Sequence, residues 1–255
     1  MMKKSMAFFK VCAGIAGLCG LSACSGFSSP VAESHRTLQI QRDWTVPSLN
    51  ADNLAARKIH RSTGVIFQNL WIQANSLDGV IAVKTSTGDK VWKQQIPFGS
   101  EVTPAIVKDR IFVPANDGQI YCLHAGTGDV VWTFATKTEN IAEPLLEDGI
   151  LYVQAGNNSV FALDAATGQQ IWMYSHSDSQ TISIRGGSKP LLNKGLLYVG
   201  MSDGVFVALD AKNGKMKWEK LLNPRKKFRD IDSDAIIDGE LLFVFGYDHQ
   251  IYALK

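Results

Sequence analysis

The repeat that decides the fold is clearest at residues 162–172, which read Ala162-Leu163-Asp164-Ala165-Ala166-Thr167-Gly168-Gln169-Gln170-Ile171-Trp172. Related stretches end at three other tryptophans, Trp92, Trp132 and Trp218. The four tryptophans are separated by 40, 40 and 46 residues. Self-similarity at such a period indicates a repeat architecture, in which each unit buries its apolar face against the next unit.

Each unit reads as four short strands joined by tight turns. In the third unit the strand-forming runs are residues 144–146, 150–153, 160–163 and 170–174. The turns between them contain Gly149, Asn158 and Gly168, residue types that are typical of hairpins. Repeated four-stranded sheets are the blades of a propeller. The chain is therefore predicted to be all-β, a β-propeller of four-stranded blades. A stack of β-coils is the alternative, but its coils are usually shorter.

The pattern Ala-x-Asp-x-x-Thr-Gly-x-x-x-Trp resembles the repeat of the quinoprotein-like propellers, and the resemblance covers residues 64–255. The glycine supplies the positive φ of a tight turn, and the tryptophan follows on the next strand. In that family the tryptophans pack between adjacent blades. The resemblance thus implies that Trp92, Trp132, Trp172 and Trp218 are structural and are not ligand sites.

The number of blades depends on the two ends of the repeat region. The last unit has three predicted strands, near residues 235–237, 241–245 and 251–254, and lacks a fourth strand with a tryptophan. Residues 38–46, which contain Trp44, are predicted to supply that strand and to close the ring, because an open propeller exposes two sheet edges. Residues 38–255 then form five blades of about 44 residues each. The alternative is a fragment of an eight-bladed propeller.

The first 23 residues are predicted to be a signal peptide. Lys3, Lys4 and Lys10 precede an apolar stretch over residues 11–21, which is too short to span a bilayer, since that takes roughly 20 apolar residues. The stretch ends in Leu21-Ser22-Ala23-Cys24, and small residues before a cysteine are typical of lipoprotein signals. Cys24 is therefore predicted to carry the lipid anchor. The alternative is an ordinary signal in which this cysteine is incidental.

The residues after the signal indicate how the mature chain is placed and charged. Residues 24–37 are expected to form a lipidated, flexible tether ahead of the propeller at 38–255. Ser25, where aspartate would favour the inner membrane, predicts an outer-membrane lipoprotein that faces the periplasm. Three of the 26 basic residues lie in the signal, which leaves 23 basic against 24 acidic residues. This near-neutral balance predicts no nucleic-acid partner. Cys122 has no disulfide partner, so stability must come from core burial.

No enzyme is predicted. Some quinoprotein-like propellers bind pyrroloquinoline quinone and calcium and oxidise alcohols or sugars, commonly with adjacent cysteines beneath the cofactor. This chain has no adjacent cysteines, and its five histidines are scattered without metal-ligand spacing. The run 175–178, Ser-His-Ser-Asp, is no catalytic triad, because neighbours in sequence rarely converge in that geometry. We expect no catalytic residue, metal or cofactor. A quinone-dependent dehydrogenase and a sugar- or peptidoglycan-binding propeller remain the alternatives.

A narrower resemblance connects the chain to the BamB family, the lipoprotein propellers of the outer-membrane β-barrel assembly machinery. In that family one interblade loop carries Leu-x-Leu-Arg-Gly, the next carries Asp-x-Asp, and both contact the periplasmic domains of the barrel protein BamA. Residues 182–186, Ile-Ser-Ile-Arg-Gly, match the first motif with Ile for Leu, and residues 230–232 match the second. The resemblance implies a scaffold that assists insertion of β-barrel proteins. The partner-binding residues that it implies are Ile182, Ile184, Arg185, Asp230 and Asp232.

These loops also allow a purely structural interpretation. In that case Ile182 and Ile184 cap the blade, and Arg185 pairs internally with Asp230 or Asp232. The basic stretch at residues 223–229 is either a solvated loop or a surface that steers an acidic partner. BamB-type propellers usually have eight blades, so a five-bladed chain puts in doubt any family contact made elsewhere on the ring.

Overall fold

The computed structural model describes residues 41–48, 62–77, 79–176, 187–225 and 227–255. The chain divides into Met1–Gln41 and a compact unit, Arg42–Lys255. The predicted signal peptide, Cys24 and the tether lie outside the described residues. Within the described part of the chain, no helix is long and apolar enough to cross a membrane.

The described residues form five antiparallel sheets, four of four strands and one of three, in which strands follow one another in chain order. The predicted all-β propeller of four-stranded blades is confirmed. Blade one contains β1 Val65–Phe67, β2 Leu70–Asn75, β3 Gly79–Lys84 and β4 Lys90–Gln95. Blade two contains β5 Ala105–Val107, β6 Arg110–Pro114, β7 Gln119–His124 and β8 Val130–Ala135. Blade three contains β9 Leu145–Glu147, β10 Ile150–Ala155, β11 Ser159–Asp164 and β12 Gln170–Ser175. Blade four contains β13 Leu191–Asn193, β14 Leu196–Gly200, β15 Val205–Asp210 and β16 Met216–Leu221. Blade five contains β17 Ile236–Asp238, β18 Leu241–Phe245 and β19 Ile251–Leu254.

The core lies between neighbouring blades. Most residues of the second and third strands are buried on both faces of their sheet, as in β10 and β11. One apolar cluster joins Ile72 and Val80 of blade one to Ile111 and Leu123 of blade two. Further clusters join blades two and three, three and four, and four and five. Each sheet is therefore stabilised by apolar burial against the next sheet.

Trp92, Trp132 and Trp172 each contact the next blade in the same way. The indole Nε1 of Trp132 donates a hydrogen bond to the carbonyl of Ala165 at 3.2 Å, and its ring lies over Gly168. Gly168 has φ +74°, and a Cβ there would lie 2.6 Å from the indole. Trp92 and Trp172 make the same contacts with Ala125 and Gly128, and with Ala211 and Gly214. Each of these three indoles therefore lies against the turn between the third and fourth strands of the next blade.

A β-bulge in each complete blade orients the tryptophan. In blade three Ala162 pairs with Trp172 and Leu163 pairs with Gln170, so Ile171 is an extra residue. The same register shift occurs beside Trp92, Trp132 and Trp218. A fully buried alanine, or Cys122 in blade two, faces the indole. Cys122 thus occupies a position that requires a small residue, and burial raises the pKa of its thiol to about 11.

The predicted ring closure is not formed by the described residues. Residues 41–47 form no strand, and the last sheet keeps three strands; residues 38–40 lie outside the described residues. Trp44 instead contacts blade one, where its Nε1 donates to the carbonyl of Thr85 at 2.9 Å and its ring covers Gly88. Blades two, three and four receive the same contact from the tryptophan of the blade before them. Trp218 lines a groove of about 730 Å³ between blades four and five.

Substitution of two glycines tests the tryptophan contact. Gly168→Ala and Gly149→Ala both place a side chain at φ between +74° and +78°, but only the first would meet an indole, since nothing lies within 4 Å of a Cβ at Gly149. We expect Gly168→Ala to lower the free energy of unfolding by about 1–3 kcal/mol more than Gly149→Ala, as measured by urea denaturation. Equal losses would show that the indole contact contributes nothing beyond the backbone strain.

Candidate partner-binding surface

Loops and turns alternate between two rims of the propeller, because successive strands of a blade run in opposite directions. One rim carries the interblade loops together with the hairpins that join second and third strands, and we call it the loop rim. The other rim carries the hairpins that join first to second strands and third to fourth strands, and the latter contain the Thr-Gly turns. The second motif, residues 230–232, belongs to the loop rim, and so do His176 and Ser188, which flank the undescribed stretch that contains the first motif.

The first motif loop lies partly outside the described residues. Its motif residues Ile182, Ile184 and Arg185 are among the positions 177–186 that the structure does not describe. The residues on either side of this stretch are fixed. His176 donates its backbone N–H to the carbonyl of Asn158 at 3.1 Å, and the hydroxyl of Ser188, which is buried, accepts a bond from the N–H of Gly200 at 2.9 Å.

The side chain of His176 also holds the beginning of this loop. Its Nε2 lies 2.7 Å from Oδ2 of Asp203, and its Nδ1 lies 3.3 Å from the hydroxyl of Tyr174. Asp203 belongs to the hairpin between β14 and β15 in the next blade, and its side chain is almost fully buried. The His176–Asp203 contact therefore ties the loop to blade four, which sequence reasoning did not predict.

The second motif loop is packed tightly on blade four. Ile231 is buried in the cluster between blades four and five, and its N–H donates to the carbonyl of Met201 at 3.1 Å. Gly200 allows this close approach, since a Cβ there would lie 2.2 Å from the carbonyl oxygen of Ile231. Asp230 is also completely buried, whereas Asp232 is half-buried. The side chain of Asp232 is therefore accessible to a partner, whereas the side chain of Asp230, predicted to bind the partner, is not.

The described end of the first loop contacts the second loop. The N–H of Lys189, three residues after the first loop's undescribed stretch, donates to Oδ1 of Asp234 at 2.9 Å. Asp234 follows Asp232 by two residues in the second loop. The end of the first loop and the acidic residues of the second therefore form one continuous part of the loop rim.

The hairpins of the loop rim share a hydrogen-bonded turn. In blade two Oδ1 of Asp117 accepts from the N–H of Gln119 and its Oδ2 accepts from the hydroxyl of Tyr121 at 2.6 Å. Asp248 makes the same two bonds in blade five, with Gln250 and Tyr252. Burial, with the added bond to the Asp248 carboxylate, raises the pKa of Tyr252 to about 12. These aspartates are therefore structural acceptors.

The quinone and calcium centre of the related enzymes does not fit the described residues. No group of three or more His, Cys, Asp or Glu side chains comes together among them in a way that could hold a metal ion. Asp117 and Asp248 accept hydrogen bonds from N–H and O–H groups of their own turns.

Comparison with solved structures supports the propeller fold. BamB from Moraxella catarrhalis matches with a TM-score of 0.50 and 19% identity, over 76% of this chain and 73% of that protein. The quinohemoprotein alcohol dehydrogenase from Comamonas testosteroni matches with a TM-score of 0.61 and 18% identity, over 79% of this chain. The computationally designed protein Ika8 matches with a TM-score of 0.60 and 15% identity, over 74% of this chain. At these identities the similarity shows the fold alone.

The chain spans only part of some of these proteins, 56% of Ika8 and 42% of the Comamonas dehydrogenase. No curated protein matches it. The family described as outer membrane protein assembly factor BamB matches residues 77–255, which is more than half of the chain. The chain therefore belongs to the family of the outer membrane protein assembly factor BamB.

Proposed function

We propose that this protein is a non-enzymatic scaffold that binds a BamA-type barrel protein and thereby assists the assembly of β-barrel proteins in the outer membrane. Membership of the BamB family supports an envelope role of this kind. The observation that carries the proposal is the hydrogen bond from the N–H of Lys189, at the described end of the first loop, to Asp234, two residues after the second motif. Two loops that are separate in sequence then present a single surface.

The rigidity of the loop rim supports a binding role. The carbonyl of Gly204 accepts bonds from the N–H groups of Leu222 and Asn223, so the second loop is fixed at its start as well as at Ile231. Loops that are held by a rigid scaffold lose little conformational entropy when they bind. In this proposal Arg185 is the charged residue that a partner contacts, and the buried Asp230 is a positioning residue.

The lipid anchor belongs to the same proposal. A protein that is tethered through Cys24 to the periplasmic face of the outer membrane stays beside a barrel protein embedded there. Tethering raises the effective concentration of the partner, so a modest contact surface is sufficient for assembly.

An alcohol-oxidising enzyme is the second candidate, because the quinohemoprotein dehydrogenases share the fold. No observation on the described residues favours it. The loop rim instead combines fixed loop ends with an exposed surface, which suits contact with a macromolecule better than enclosure of a small substrate.

Reversing the charge of Arg185 tests the scaffold. We expect Arg185→Glu to weaken binding of the purified periplasmic domains of the BamA-type protein about thirtyfold, the effect of losing a hot spot worth about 2 kcal/mol. The thermal transition should stay nearly unchanged. Both quantities are measured on the same preparation, by isothermal titration calorimetry and by a melting curve.

Lys137→Glu is the matched control. Lys137 is an exposed cation on the interblade loop after blade two, so its substitution makes the same charge change on the loop rim. It should leave the affinity unchanged. A lower melting temperature with unchanged affinity for Arg185→Glu would show that Arg185 is an internal partner of the aspartates. Quinone- and calcium-dependent alcohol oxidation by the wild-type preparation would contradict the scaffold.

The anchor is tested by Cys24→Ala. Cells labelled with an alkyne fatty acid should tag the wild-type protein, and the variant should lose both the tag and its membrane association, because two or more acyl chains are needed for stable anchoring. A Cys24→Ser variant should behave like Cys24→Ala. Tagging that persists in either variant would place the lipid elsewhere.

A further inference from the structure

The loop-rim hairpin of blade five departs from those of blades two and four. In blade two the turn between second and third strands is Asn116-Asp117-Gly118, and in blade four it is Ser202-Asp203-Gly204. In blade five the equivalent residues are Tyr247-Asp248-His249, with the same turn bonds, for example from the N–H of Gln250 to Asp248. Two aromatic rings therefore replace a small polar residue and a glycine.

The second of these replacements strains the backbone. His249 has φ +64°; its counterparts in blades two and four, Gly118 and Gly204, have φ +80° and +86°, and the counterpart in blade three is Asn158, with φ +58°. Left-handed backbone favours glycine, and a ring at this position is held against that preference. Backbone strain that a glycine would relieve is a feature of functional sites. The turn itself does not need the histidine.

Four rings form a continuous exposed row. Tyr247 lies 6.1 Å from Phe228 and 6.3 Å from His249, and His249 lies 6.5 Å from Phe245, measured between ring centroids. Phe228, Phe245 and Tyr247 are each 42–43% exposed. Phe228 also has a positive φ, +53°. We call these four residues the aromatic row.

The aromatic row borders cationic side chains and the second motif loop. Asp248 lies between the two aromatic residues of the turn in sequence, and its carbonyl oxygen lies 3.5 Å from Nη2 of Arg225. Lys227 is exposed and precedes Phe228 in sequence. The N–H of Tyr247 donates to the carbonyl of Asp230 at 3.0 Å. The row is therefore a direct extension of the surface on which the proposed function depends.

We propose that the aromatic row binds an acidic polypeptide segment that presents an apolar side chain, on the same BamA-type partner that the motif loops contact. This inference rests on the proposed function and extends its interface. The rings would take up the apolar side chain, and Arg225 and Lys227 would attract the acidic groups around it. Aromatic and arginine side chains are the residues that contribute most at protein interfaces.

A protein partner fits this surface better than an anionic membrane does. The row continues into Asp232 and Asp234, of which Asp234 is exposed, and such carboxylates would repel anionic headgroups. The cations of the row lie on one side and the carboxylates on the other. A partner with a patterned surface can satisfy both, whereas a uniform negative surface cannot.

The test gives the turn of blade five the sequence of the turn in blade two. In the full-length lipoprotein, purified in detergent, Tyr247→Asn with His249→Gly recreates Asn-Asp-Gly, and it should keep or raise the melting temperature because the strain at His249 is relieved. Its affinity for the partner's periplasmic domains should fall at least tenfold. Phe98→Asn is the matched control, since Phe98 is a 71%-exposed aromatic residue with φ +59° on another loop of the same rim. It should leave the affinity unchanged.

The same series includes wild type and Arg185→Glu, and it adds sedimentation with phosphatidylglycerol vesicles. If wild type binds the periplasmic domains and Arg185→Glu weakens that binding, while the double variant binds like wild type, the aromatic row is not part of the interface and the proposed function stands. If the double variant loses vesicle binding alone, the row contacts the membrane and this inference is overturned. If wild type does not bind the domains, the proposed function fails and the inference fails with it.

Discussion

An indole ring that lies on a glycine of the next blade is the contact on which the rest of the structure depends. The ring needs a position without a Cβ, which is why Gly128, Gly168 and Gly214 cannot carry a side chain. It also needs a small residue across the strand pair and a bulge that turns the tryptophan toward its neighbour. The hydrogen bond from Nε1 fixes the spacing of the sheets. The glycine, the small residue, the bulge and the tryptophan of each repeat thus depend on one another.

The proposed function depends on the interblade loops, which this contact does not constrain. The tryptophan contacts lie at the Thr-Gly turns, on the rim opposite the interblade loops, so the sequences of those loops are not constrained by them. The loop rim can therefore hold an inserted loop between His176 and Ser188, a buried aspartate at 230 and an aromatic turn at 247–249 without loss of the core. Variation at one rim and invariance of contacts at the other is the arrangement expected of a binding scaffold.

Local patterns predicted most of the strands, because alternating apolar residues and turn residues act over a few positions; β18 and β19 occur at the predicted residues. The features that sequence reasoning missed depend on a neighbouring blade. The His176–Asp203 contact and the position of Trp44 over Gly88 each involve residues that are 27 or more positions apart. The burial of Asp230 follows from packing alone. The aromatic turn had a signal, since His249 replaces the glycine that follows aspartate at residues 79, 118 and 204, but its continuation to Phe228 required the fold.

Hydrogen–deuterium exchange of the lipoprotein, alone and with the periplasmic domains of the BamA-type protein, tests the central claim that a rigid propeller binds through one rim. The second and third strands of blades one to four should exchange slowly in both states, because they are largely buried and are paired on both sides. Added protection on binding should be confined to residues 176–190, 222–235 and 245–250. Protection that appears at the Thr-Gly turns, or spreads evenly over the blades, would contradict the claim.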